Sequence, residues 1–114
     1  MATFTKLFFS GSVDGKGIVV AEDGSPGTTI HTAHVTSKDE IWIYATNTDS
    51  PDVEVTLEWG GTDAPDNSIS CTIPGKSGLQ LIVPGFVLTN SKVVKAFAET
   101  ADVIVIYGFV NRIS

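Results

Sequence analysis

The chain predicts an all-β fold, a single antiparallel β-sandwich of about eight strands and of jelly-roll or Greek-key type, with residues 1–114 forming one domain. Three observations lead there. The composition is rich in Val, Ile and Thr, with eleven Gly, five Pro and one Met, and β-branched side chains suit a pleated surface. Apolar runs are short and recur every eight to twelve residues or so, separated by turn chemistry. Within most runs apolar and polar residues alternate with a period of two, and no helical period competes. An immunoglobulin-like topology is the alternative, although the Cys…Trp…Cys hallmark is absent.

The elements follow in order. Thr3–Phe9 reads as the first strand, ending at Ser10-Gly-Ser. Asp14-Gly-Lys-Gly17 turns the chain into Ile18-Val-Val-Ala21, and Glu22-Asp-Gly-Ser-Pro-Gly27 is a loop, because Asp-Gly and Pro-Gly favour tight reversals. Thr28–Val35 is strand-like. In Glu40–Thr46, Ile41, Ile43 and Ala45 share one face, with Trp42 and Tyr44 on the other. Val53, Val55, Leu57 and Trp59 form an apolar face opposed by Glu54, Thr56 and Glu58, which predicts a half-buried strand with a wet side. Ile69, Cys71 and Ile73 repeat that pattern. Leu79, Leu81 and Val83 are expected to face inward before Pro84-Gly85 breaks the run. Val93–Ala98 and Val103–Ile113 complete the set.

Val103–Ile113 is the most informative element. Val103, Val105, Tyr107 and Phe109 lie on one face, and Ile104, Ile106 and Val110 on the other. A strand apolar on both faces needs two covers, its own core and a second layer or another subunit. Val103–Val110 is therefore expected among the most buried segments. The second face of Trp42 and Tyr44 poses the same question, and interfaces enrich Trp and Tyr. The candidate subunit or capsid contacts are Phe4, Leu7, Phe8, Phe9, Trp42, Tyr44, Tyr107 and Phe109. Completion of the single chain's own core is the competing reading for each.

Charge argues against a nucleic-acid partner. The net charge is −6, and residues 22–66 hold ten of the thirteen acids against one cation, Lys38. Phosphate affinity comes largely from Lys and Arg. No apolar stretch approaches the roughly 20 residues of a membrane span, and the opening Met1–Ser10 lacks the basic start of a secretory signal. A lone cysteine, Cys71, forms no intrachain disulfide and reads as a small buried hydrophobe in a protein folded in a reducing cytoplasm.

The chemical inventory is sparse, and no catalytic, cofactor or metal residues are assigned. His31 and His34 point to opposite faces of a strand, which predicts two solvated histidines and no chelating pair. Asp14-Gly-Lys-Gly17 lacks the spacing and following helix of a phosphate loop. Thr48-Asp-Ser-Pro-Asp52 and Thr62-Asp-Ala-Pro-Asp66 are two similar turns at opposite ends of the intervening strand, which disfavours a shared calcium site. Glu54 and Glu58 as an acid–base pair would need a cleft and shifted pKa values. A carbohydrate-binding, lectin-like sandwich is the alternative function, carried by Trp42, Tyr44 and Trp59.

Several segments taken together resemble small all-β virion proteins of tailed bacteriophages, of marine phage type. They are Phe4-Thr-Lys-Leu-Phe-Phe-Ser-Gly-Ser12, Asp39-Glu-Ile-Trp-Ile-Tyr44, Glu58-Trp-Gly-Gly61, Val83-Pro-Gly85 and Tyr107-Gly-Phe-Val-Asn-Arg-Ile113. The likeness spans most of the chain. It implies a non-enzymatic capsid decoration or cement protein on the virion surface, made in the host cytoplasm, or else another tail or fibre attachment. It also implies the major capsid protein as partner and a homotrimer as the oligomer. None of the segments is a functional signature, so no family site residue is carried over.

Overall fold

Ten residues of alternating inward and outward side chains, twice over, build the centre of the molecule. In the computed structural model, which describes residues 3–114, β4 (Lys38–Asn47) and β9 (Ile104–Ile113) pair antiparallel in unbroken register from Lys38↔Ile113 to Asn47↔Ile104. Met1 and Ala2, at the start of the segment read for a leader, lie outside the described residues. Around this pair the chain forms two antiparallel sheets packed on one another, and no helix occurs among the described residues. The first sheet runs β1 (Phe4–Leu7), β9, β4, β7 (Gln80–Leu88), with β2 (Ile18–Val19) also paired to β9. The second runs β3 (Thr28–Thr32), β8 (Val93–Ala98), β5 (Val53–Trp59), β6 (Ser68–Ile73). From β2 onward the chain changes sheet at every connection except β5 to β6.

The core lies between the sheets. Ile41, Ile43, Ala45, Ile104, Ile106 and Val110 of the first sheet are fully buried, as are Val53, Val55, Leu57, Val94, Ala96 and Ala98 of the second. Each large aliphatic side chain removed from water stabilises the fold by about 1.5–3 kcal/mol.

β1 and β2 divide one edge of β9 between them. Leu7 pairs with Val110 and Ile18 with Ile106, so residues 107–109 of β9 face the excursion that joins the two short strands. Phe9, from that excursion, enters the core at 2 % exposure and stands 6.1 Å from the His31 ring. Gly108 makes the room. Its φ is 151°, and a Cβ there would lie 2.7 Å from Phe9 Cζ and collide with the Trp42 carbonyl. Gly108→Ala is expected to cost about 2 kcal/mol or more, since neither backbone nor a packed ring yields easily. The urea midpoint measures it, and an unchanged midpoint would mean that Phe9 is not seated beside Gly108.

Several expectations need correction. Pro84-Gly85 does not end a strand. β7 continues through it to Leu88, with register shifts against β4 between Ile41 and Trp42 and between Ile43 and Tyr44. Each extra residue reverses which side chains face inward. Leu81 is therefore opposite Tyr44 and 48 % exposed, Leu79 is 56 % exposed, and only Val83 of the three enters the core. A register shift between Thr29 and His31 likewise turns both Ile30 and His31 inward, so His31 is buried rather than solvated. The polar side of β5 is not wet throughout. Glu54 is exposed, but Thr56 and Glu58 are buried. The Ser25 hydroxyl and the Gly27 amide of the β2–β3 loop donate to the two Glu58 oxygens at 2.6 and 2.7 Å. Val103–Val110 is buried on one face only: Ile104, Ile106 and Val110 are at 0 %, while Tyr107 is 40 % exposed.

Candidate functional site

The outward face of β4 and β9 is where the sequence-predicted aromatics meet. Because the two strands pair without a bulge, residues of like parity fall side by side. Trp42 is opposite Phe109, and Tyr44 is opposite Tyr107. The Trp42 and Phe109 rings stack with centroids 6.0 Å apart and planes 15° apart. Aliphatic neighbours extend the surface on both sides: Leu81 and Pro84 beside Tyr44 and Trp42, and Val19 beside Val105. Gly17 permits the close approach at Tyr107, for a Cβ there would lie 2.7 Å from its ring.

The polar groups at the edge of this surface are paired with one another. Trp42 Nε1 donates to Glu40 Oε1 at 2.8 Å, and Asn111 Nδ2 donates to the same oxygen at 3.1 Å. These two donors, Trp42 first, hold the Glu40 carboxyl below its ordinary range. Lys6 Nζ lies 4.4 Å from the centre of the Phe109 ring, on the far side from β4. The result is an aromatic surface with a fixed, hydrogen-bonded border.

The remaining candidates from the sequence separate. Phe4 pairs with Ile113 at the far end of the same face and is 71 % exposed. Phe8 is 59 % exposed in the loop after β1. Leu7 and Phe9 turn the other way: Leu7 packs against the core and Phe9 belongs to it. Thus Trp42, Tyr44, Tyr107 and Phe109 form one patch, Phe4 and Phe8 flank it, and Phe9 serves the single chain's own packing.

A second cluster was missed by sequence reasoning. Asp39 is fully buried and accepts from Arg112 Nε at 2.8 Å and Arg112 Nη2 at 3.0 Å. His31 Nε2 lies 2.7 Å from Asp39 Oδ2, and the His34 amide donates to that oxygen at 3.2 Å. Ser10 donates its amide to His31 Nδ1, which places the ring proton on Nε2, toward Asp39. Burial works to raise the Asp39 pKa. The Arg112 guanidinium, the His31 ring and the His34 amide outweigh it and hold the carboxyl below 3.8. Arg112 is held above its ordinary value in return. Parity offered a signal, since Asp39 lies two residues before Ile41, and Arg112 two after Val110, on the inward faces of neighbouring strands. With both imidazole nitrogens and both carboxylate oxygens engaged, the cluster ties β9, β4, β3 and the Ser10 segment together.

Surface clefts are found among the described residues. One, of about 240 Å³, is lined by Gly60, Gly61, Thr62, Lys92 and Lys95 among others. Another, of about 460 Å³, is bounded by Thr36, Ser37, Lys38, Ile113 and Ser114. Neither is lined by a carboxylate side chain, an imidazole or a thiol. Glu54 and Glu58 do not form a pair, since the second is enclosed by the β2–β3 loop. No protein-family model matches the chain, and no curated protein matches it.

Proposed function

We propose that this domain is a non-enzymatic structural protein of a virion, a capsid decoration or cement protein that docks on the major capsid protein through the outer face of β4 and β9. The observation that carries the docking surface is the aromatic patch of Trp42, Tyr44, Tyr107 and Phe109, on the outer face, where Tyr107 is exposed and the other three are half-buried in the single chain. Such side chains are enriched in the buried centres of protein interfaces. Because the border groups Glu40, Asn111 and Trp42 Nε1 already satisfy one another, covering the patch leaves few donors unpaired. The virion setting rests on the resemblance of Asp39–Tyr44, Val83–Gly85 and Tyr107–Ile113 to small phage structural proteins, as does assembly into a homotrimer. The strand order, with β1 and β2 sharing one position beside β9, supports the jelly-roll reading of the sandwich.

Cosedimentation with purified capsid shells tests this function. The unaltered protein is expected to pellet with shells, whereas Tyr107→Lys, a change at a partly exposed position, is expected to stay in the supernatant while keeping its urea midpoint within about 0.5 kcal/mol of stability. A protein that never associates with shells would refute the reading. Carbohydrate binding remains the alternative, favoured by the parallel Trp42 and Phe109 rings beside Glu40 and Asn111. Binding to a glycan array, lost in Trp42→Ala, would select it instead.

A further inference from the structure

We propose that the β6 edge of the sandwich pairs with β6 of a second copy of this chain, antiparallel and about a two-fold axis at Cys71. The edges of the two sheets differ. An exposed edge strand offers unpaired backbone donors and acceptors, and natural proteins usually block it with charge, proline, bulges or brevity. β1 has four residues and carries Lys6, and β2 has two. β3 is interrupted by a register shift, and β7 by Pro84 and two shifts. β6 has none of these devices. Its six residues, Ser68-Ile-Ser-Cys-Thr-Ile73, contain no charge, Pro or Gly and keep one continuous register with β5. Ser68, Ser70 and Thr72 are exposed.

Charge selects the occupant. From Asn67 to Ser91 the only charged side chain is Lys76, in a chain of net charge −6. Two acidic copies meet with least repulsion on this flank. A two-fold centred on Cys71 sets Ile69 against Ile73 and Ser70 against Thr72, and it brings the turn holding Asp66 of each copy beside the turn holding Lys76 of the other. Opposite charges therefore close both ends of the paired strands. β7, the edge strand of the other sheet that follows directly through the Pro74–Leu79 turn, adds apolar area. Leu79 and Phe86 are 56 % and 53 % exposed, and Phe86 leans edge-on against Trp59 of β5. This flank is distinct from the outer face of β4 and β9. Pairing here is independent of capsid docking, and is compatible with a three-fold contact elsewhere.

The geometry supplies its own reporter. Directly opposed residues of an antiparallel pair have Cα atoms about 4.5 or 5.5 Å apart, both within the range of about 4.4–6.8 Å that a disulfide spans. Cys71 is the chain's only cysteine, so a covalent dimer identifies the centre of the pairing. The experiment combines sedimentation equilibrium with mild oxidation by copper–phenanthroline, read on non-reducing gels. The unaltered protein is expected to associate in even-numbered species and to yield a covalent dimer that dithiothreitol reverses. Ser70→Lys/Thr72→Lys places lysines directly opposite one another across the axis. It is expected to weaken association more than tenfold and abolish the covalent dimer, with its urea unfolding transition retained. A monomer at high concentration overturns the proposal. So does an oligomer that forms no Cys71 cross-link, or one that the lysine variant leaves intact. Pairing of β6 only with an added capsid-protein strand would also overturn it.

Discussion

Replacing Ile106 with Asp is expected to abolish the cooperative unfolding transition of this domain. Ile106 is fully buried on the inner face of β9, between Ile104 and Val110, with Ile18 and Ala45 as its ladder partners. Two losses add. The apolar side chain forfeits about 1.5–3 kcal/mol of burial. The carboxylate then either stays charged without a partner, at several kcal/mol, or takes up a proton against its ordinary pKa. Together these reach the lower end of the 5–15 kcal/mol that holds typical domains folded. Val105→Asp, one residue earlier on the half-covered outer face, is expected to cost about 1 kcal/mol or less. The comparison of the two variants by urea unfolding separates the faces of one strand. Equal midpoints would mean that β9 does not divide into a core face and an outer face.

That contrast refines what the sequence offers. The alternation in β4, β5 and β9 is legible because those central segments run without a bulge, and every inward position among Ile41, Ile43, Ile104 and Ile106 follows from parity alone. The pairing of Trp42 with Phe109 and Tyr44 with Tyr107 needs the register between strands more than sixty residues apart in sequence, which no local pattern contains. Bulges explain most of the other departures. One extra residue in β7 reverses Leu81, and another near Ile30 turns His31 inward. Glu58 and Phe9 depart for a different reason. Each is fixed by a distant loop, Ser25–Gly27 for the carboxylate and the β1–β2 excursion beside Gly108 for the ring. A charged residue in an alternating strand reads as solvent-facing until something is known to cover it.

The buried Asp39 yields the second large effect. Arg112→Leu is expected to destabilise the domain by about 3 kcal/mol, because it leaves a buried carboxylate without its guanidinium partner. The figure sits at the lower end of the usual range because the Arg112 side chain is 28 % exposed and partly screened. Asp39→Asn/Arg112→Leu removes both charges, and is expected to be less damaging than Arg112→Leu alone. That ordering distinguishes a stranded charge from a general loss of packing. The pH dependence has a definite sign. The folded-state pKa of Asp39 lies below the ordinary aspartate value of 3.8 that holds in the unfolded chain. Its contribution is therefore fully present above that value and fades as the pH falls through the lower, folded one. In Arg112→Leu the depression shrinks, so less stability is lost in acid and the profile is flatter than in the unaltered protein. Asp39→Asn lacks this component altogether. Urea midpoints measured from neutral pH down to about 2 follow all four proteins. Parallel acid profiles for the unaltered protein and Asp39→Asn would mean that the tie between β4 and β9 is not built on this charge.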